Sequence, residues 1–228
     1  MSTTPSALII GASRGLGLGL TERLREAGWN VTATVRDPSK AEALQAVPGV
    51  QVETLEMNDD VQLNALVQRL QGQVFDLVFV NAGVMGPQPQ SPQSVTLDDV
   101  GQLFMTNAVA PIRVASRLVD QIGRDRGVLA FMSSGLGSVT SPDGGEICLY
   151  KASKAALNSM INSFVVQLQR PDLTVLAMHP GWVQTAMGGD HAPLDVQTST
   201  RGLVEQITAQ RGQPGLRFID FQGETLTW

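Results

Sequence analysis

The sequence predicts an α/β protein, a single doubly wound domain over residues 1–228 whose open sheet of about seven parallel strands carries helices on both faces. Three observations predict it. Short apolar runs recur at residues 7–10, 31–35, 50–55, 75–80, 128–132, 174–178 and 217–219. Most are apolar at successive positions, which suits parallel strands buried on both faces. Longer amphipathic stretches separate them, and six alternations of strand and helix imply one parallel sheet with right-handed crossovers. The composition is that of an ordinary globular chain, 43% hydrophobic and 16% charged, and 228 residues suffice for one sizeable core. No internal repeat and no linker interrupts it.

The first run, 7–10, leads into Gly11-Ala12-Ser13-Arg14-Gly15-Leu16-Gly17. The chain turns there from strand to helix. Glycines let the backbone approach a pyrophosphate, and the N–H groups and positive dipole end of a helix favour an anion. The spacing is G-x-x-x-G-x-G, not the commoner G-x-G-x-x-G of dinucleotide-binding Rossmann-type domains. By itself such a loop is a weak signal, since a tight turn also explains it. The helix that follows keeps Leu16, Leu20, Leu24 and Ala27 in register and stops at Gly28.

The second strand ends in Thr34-Val35-Arg36-Asp37-Pro38. At this place an acid would bind an adenosine ribose hydroxyl, and an arginine a 2′-phosphate. Asp37 before Pro38 also suits a helix cap. Arg36 and Arg14 then offer two cations to a dianion. NADP(H) is favoured over NAD(H), which Asp37 keeps open as the alternative. Residues 86–93, Gly-Pro-Gln-Pro-Gln-Ser-Pro-Gln, exclude a helix. They form either a plain surface connection or part of a substrate mouth.

Tyr150 and Lys154 stand four apart in Leu149-Tyr150-Lys151-Ala152-Ser153-Lys154, and Tyr150 is the only tyrosine. On a helix that spacing puts both on one face. A free phenol, with a pKa of roughly 10, is a poor acid or base at neutral pH, and a nearby ammonium is expected to lower it.

Taken together these motifs resemble those of the short-chain dehydrogenase/reductase family, and the resemblance spans nearly the whole chain. Asn81-Ala82-Gly83 is similar to the family's N-A-G element beside the cofactor. Asn107 resembles its helix asparagine, which holds a proton-relay water near the lysine. Ser134, with Ser133 as the fallback, stands where the catalytic serine is expected. The run from Pro180 and Gly181 to Val183 and Thr185 resembles the segment that touches the nicotinamide. The wide spacing from Ser134 to Tyr150 and the run from His179 to Gly189 are similar to the C-factor/sniffer-like group of carbonyl reductases. Departures are Ile10 for threonine, Val80 for the first asparagine of N-N-A-G and Glu56 for an aspartate near the adenine.

The resemblance implies a catalytic set of Asn107, Ser134, Tyr150 and Lys154. Ser134 would bind the carbonyl oxygen, Tyr150 give the proton, and Lys154 steady the phenolate and hold the nicotinamide ribose. The cofactor would lie on Gly11, Ser13, Arg14, Gly15, Leu16, Gly17, Arg36, Asn81, Ala82, Gly83, Tyr150, Lys154, Pro180, Gly181, Val183 and Thr185. Leu136, Ile147, Trp182, Met187 and His191 are candidate substrate contacts, with a short lid near 186–200. The expected substrate is a small carbonyl or alcohol: an aldehyde, a ketone or a quinone. A catalytically quiet NADP(H)-binding sensor on the same fold is the competing reading. A sugar-nucleotide epimerase is disfavoured by the short segment after Thr185.

A net charge of -5 argues against nucleic acid. One cysteine, Cys148, argues against a disulfide framework, and two unpaired histidines against a metal site. No basic leader or spanning apolar run is evident, so no membrane partner and a cytoplasmic location are expected. The helix near 150–168 is apolar on more than one face, including Ala155, Ala156, Met160, Ile161, Phe164, Val165 and Val166. That excess suits burial against another subunit, in a homodimer or homotetramer.

Overall fold

The computed structural model of the protein describes residues 4–228. Its strands are β1 (Ser6–Ile10), β2 (Asn30–Val35), β3 (Gln51–Thr54), β4 (Leu77–Val80), β5 (Val128–Met132), β6 (Thr174–His179) and β7 (Gly215–Asp220). They form one sheet in the order β3-β2-β1-β4-β5-β6-β7, all parallel. Each expected run holds a strand. The ends differ where pairing decides: β3 and β4 are shorter than their apolar runs, and β7 extends back to Gly215 because it pairs with β6 over six residues.

The helices are α1 (Gly15–Glu26), α2 (Glu42–Gln45), α3 (Asp60–Arg69), α4 (Leu97–Phe104), α5 (Ala110–Leu118), α6 (Cys148–Gln167) and α7 (Val196–Gln210). Successive strand side chains point to opposite faces. Leu8, Ile10, Val78 and Phe131 therefore meet Leu66, Val114 and Leu157 in one core, while Ile9, Phe79, Ala130 and Met178 meet Leu20, Leu24 and Leu203 in the other. No helix among the described residues is long and apolar enough to cross a membrane.

The strand order reverses between β1 and β4, and open sheets of this kind leave a ligand crevice at that point, beyond the strand C-termini. Helix starts differ around it. Asp59 caps α3, Thr96 and Asp99 close a capping box on α4, and Asp195 caps α7. Arg14 before α1 and Ile147 before α6 supply no side-chain cap. At its other end α1 stops as expected. Gly28 takes φ +82°, and Gly28 and Trp29 N–H groups donate to the Arg25 and Leu24 carbonyls.

A lid is expected near 186–200, and these residues do not form one continuous loop. Residues 196–200 already belong to α7, with Ser199 and Thr200 buried, because the Asp195 cap starts the helix there. The remaining loop closes on itself: the Gln184 N–H donates to the Leu194 carbonyl, and Gln184 Nε2 to the Ala192 carbonyl.

Candidate active site

The glycine segment forms a tight cradle at the C-terminal end of β1. Gly11 takes φ +88°, and a Cβ there would lie 2.7 Å from Ala82 Cβ. A Cβ on Gly17 would lie 2.1 Å from the Gly11 carbonyl oxygen. Only glycine fits either place. The cradle is held from β2 and β4: the Gly11 N–H donates to Thr34 Oγ1 at 3.0 Å, and Asn81 Nδ2 donates to the Gly11 carbonyl at 2.6 Å. Asn81 and Ala82 thus support the turn. Gly15 opens α1, and Thr185 Cγ2 lies 3.6 Å from where its Cβ would stand. The segment after β6 therefore flanks the same crevice.

At the end of β2, Asp37 is a cap. Its Oδ1 accepts from the Ser39 N–H at 3.0 Å and from Ser39 Oγ at 2.6 Å, and Pro38 opens the short 3-10 turn Pro38–Lys40. Those bonds hold the carboxyl below its ordinary pKa. Arg36 is exposed, with its Nη1 at 3.7 Å from Glu56 Oε2, and Arg14 is exposed on the cradle.

Tyr150 and Lys154 lie in the first turns of α6 and come together with Ser134 from the end of β5. The Tyr150 phenol lies beside Ser134, and Lys154 Nζ lies 5.8 Å from the tyrosine ring centre. Ser133 is committed elsewhere, donating to Asn158 Oδ1 at 2.6 Å in the core, so Ser134 is the serine that faces the tyrosine. Lys154 is 3% exposed and donates to the Met132 carbonyl at 2.8 Å. Burial pushes it down to about 8.

The expected lowering of the phenol by Lys154 is not what the structure has. Burial pushes Tyr150 up to about 12, and the neighbouring Ser134 offsets only part of this. The ammonium points at a carbonyl oxygen, and its own charge is disfavoured by the same burial. Tyr150 is thus held as a protonated phenol.

Asn107 sits on one π-helical turn, Met105–Val109, between α4 and α5. Such turns recur at functional sites. Pro111 has no N–H, so no ordinary helical bond can close on the Asn107 carbonyl four residues back. The Asn107 side chain binds the loop after β4: Oδ1 accepts from the Val84 N–H at 2.8 Å, and Nδ2 donates to the Val84 carbonyl at 2.8 Å and to Ser153 Oγ at 3.0 Å. Both amide hydrogens are therefore committed to protein partners. Asn107 Oδ1 and Lys154 Nζ lie 3.3 and 3.5 Å from where a Gly83 Cβ would stand, so a side chain there would press on both.

The substrate candidates divide. Leu136 and Ile147 pack around Gly144, 3.0 and 3.5 Å from the place of its Cβ. Trp182 and Met187 are exposed on the loop after β6, where Trp182 Nε1 donates to the Gly188 carbonyl at 2.8 Å. His191 is exposed on the same loop. His179 is partly buried beside Gly135, and burial lowers its pKa. Three polar residues at the site carry no motif. Thr34 fixes the cradle, Ser153 accepts from Asn107, and Gln90 in the proline-rich loop is buried against the start of α6. Gln90 ties that loop to the start of α6, and one glutamine among several neighbours gives no signal in sequence.

The family model described as short chain dehydrogenase matches residues 5–193. C-signal from Myxococcus xanthus is 35% identical over 156 residues, covering 67% of this chain and 92% of that protein. A carbonyl reductase from Pseudomonas aeruginosa PAO1, solved in complex with NADP, superimposes with a TM-score of 0.92 at 38% identity, covering 99% of this chain and 100% of that one. The carbonyl reductase Sniffer of D. melanogaster does so with a TM-score of 0.87 at 30% identity, over 99% and 100%.

Proposed function

The chain belongs to the short-chain dehydrogenase family, and on that premise we propose that this oxidoreductase reduces a small aldehyde, ketone or quinone with NADPH, Tyr150 giving the proton. One observation carries the reading: Tyr150 and buried Lys154 share the first turns of α6, with the Lys154 Nζ 5.8 Å from the phenol ring centre, and Ser134 stands beside them at the end of β5, next to a glycine cradle. A protonated phenol is the acid that carbonyl reduction requires.

The residues fit a 2′-phosphorylated dinucleotide. The cradle admits no side chain at Gly11 or Gly17, and the N-terminus of α1 lacks a side-chain cap, which leaves N–H groups for an anion. Ser13, Leu16 and Gly15 line the same turn, and Gly83, Pro180, Gly181, Val183 and Thr185 would border the nicotinamide. When bound, the dinucleotide supplies the hydride. Ser134 Oγ donates to the substrate carbonyl oxygen, where negative charge develops. Tyr150 passes its proton to that oxygen. Lys154 holds a positive charge behind the phenol, and Asn107 keeps the β4 loop in register with α6. Leu136 and Ile147 offer the substrate an apolar wall.

Titration with NADPH and NADH, followed by nicotinamide absorbance against a panel of aldehydes, ketones and quinones, tests this. Tight NADPH binding with turnover on some panel member is expected; failure to bind either nucleotide overturns the reading. Because Asp37 is a cap, preference rests on Arg14 and Arg36. Arg36→Asp is expected to weaken NADPH by about tenfold or more while sparing NADH, since a hydrogen bond between charged groups contributes about 1.5–3 kcal/mol. Equal loss for both nucleotides would remove Arg36 from the 2′-phosphate.

The assembly is read from α5 and α6. Ile112, Met160, Phe164 and Val165 are only partly covered, and Val166 is 80% exposed. Two copies burying this face give a homodimer, with a tetramer as the larger form. Sedimentation should report a dimer that Met160→Glu dissociates; a monomeric wild-type chain refutes it. A single free thiol, Cys148, supports a reducing, cytoplasmic setting.

A further inference from the structure

We propose that Gln90 is a positioning residue for Tyr150, replacing the missing cap of α6 and tying the loop after β4 to the proton donor. The first N–H groups of a helix have no partner inside it. Ile147, before α6, cannot supply one. Gln90 does so from 60 residues away: its Oε1 accepts from the Tyr150 N–H at 2.8 Å. Its Nε2 donates to the Met85 carbonyl at 2.8 Å, and its own carbonyl accepts from Cys148 Sγ at 3.0 Å. Gln90 is 4% exposed, so these bonds are made away from water, where an unmade one would be most expensive.

The other polar group of the Tyr150 backbone is held too. Ser153 Oγ donates to the Tyr150 carbonyl at 2.7 Å and accepts from Asn107 Nδ2, and Asn107 binds both polar groups of Val84. Val84 and Met85 are neighbours. The bonds therefore close a circuit from Met85 through Gln90, Tyr150, Ser153 and Asn107 back to Val84. Either end of the β4 loop fixes one side of the Tyr150 backbone. A proton donor displaced by a fraction of its bond length loses rate steeply, because near-attack geometry is narrow.

The inference rests on Tyr150 being the proton donor. Gln90→Met keeps the length and volume of the side chain and removes both amide bonds. Its expected effect is a kcat lower by about tenfold to a hundredfold, with NADPH affinity within about twofold of wild type, as befits a misplaced group rather than a lost binding site. Gln90→Glu keeps an oxygen towards the Tyr150 N–H and should recover part of that loss. Tyr150 is the only tyrosine, so a chain labelled with 13C at the tyrosine Cζ alone gives one resonance. That resonance is expected to move in Gln90→Met, a readout that needs no turnover. An unmoved resonance, an unchanged kcat, or a loss matched by weaker NADPH binding would overturn the role of Gln90. A wild-type rate in Tyr150→Phe would instead overturn the reading of the site, whatever Gln90→Met does.

Discussion

Tyr150→Phe is expected to lower kcat by roughly a thousandfold, the middle of the range for loss of a general acid, while leaving NADPH affinity within about threefold of wild type, since the ring and its packing remain. The change deletes one oxygen. That oxygen lies beside Ser134, and burial raises its pKa to about 12. Tyr150 is therefore protonated across the neutral range, so its availability as the proposed proton donor does not depend on small changes of pH there. The fold should lose little. Ser134 Oγ keeps the Leu136 N–H as a partner at 3.2 Å, and one lost hydrogen bond typically contributes about 1 kcal/mol. Stopped-flow turnover on a substrate found in the carbonyl panel, with equilibrium NADPH titration, separates the two effects. If the variant turns over at the wild-type rate, the proton comes from elsewhere. If NADPH binding falls together with kcat, the tyrosine is a binding group first.

Much of this site can be read before the fold is seen, because its elements are local in sequence. A glycine segment after one strand and a proline-glycine run after another sit at strand ends, and a tyrosine and lysine four apart share one face of a helix. The sheet then gathers those ends along one edge. Asp37 was legible as a cap from the proline that follows it, and the structure bonds it to Ser39. Asn107 carries a further signal in Pro111, which stands four residues on and denies its carbonyl an ordinary helical donor.

Contacts between segments distant in sequence had no such mark. Thr34 lies in an alternating strand that would look the same if its hydroxyl did nothing, yet it holds Gly11. Gln90 is one of three glutamines within 86–93, and only its burial against α6 distinguishes it. The direction of the Tyr150 shift was also beyond spacing. Four residues predict that a cation is near, but the depth of burial and the aim of the ammonium at Met132 decide the sign. Pairwise spacing reports proximity; desolvation depends on everything else packed around the pair.

On the proposed mechanism that same desolvation sets function against stability at Lys154, and Lys154→Met should show both. Burial lowers its pKa from the usual 10.5 to about 8. A base lowered on folding disfavours the folded chain when charged. Below about 8 both folded and unfolded chains hold the proton, and the whole penalty is present. Between about 8 and 10.5 the unfolded chain binds more protons, so stability rises with pH, and above that window the penalty is gone. The gap corresponds to about 3 kcal/mol. Methionine removes the charge and keeps the length. It also leaves the Met132 carbonyl without its donor, returning about 1 kcal/mol. The variant should therefore be more stable than wild type by about 1–2 kcal/mol near neutral pH, and that advantage should vanish towards the upper end of the window. Tyr150 acts with the opposite sign at higher pH: its raised pKa stabilises below 10, and this is lost as the pH climbs to about 12. Activity should move against stability, with kcat down about a hundredfold or more, since the phenolate left by proton transfer has no cation behind it. Urea unfolding at both ends of the window, alongside turnover, checks the pair. A variant less stable than wild type at neutral pH would mean that Lys154 is held by more than the Met132 carbonyl, and that its charge supports the fold it is expected to strain.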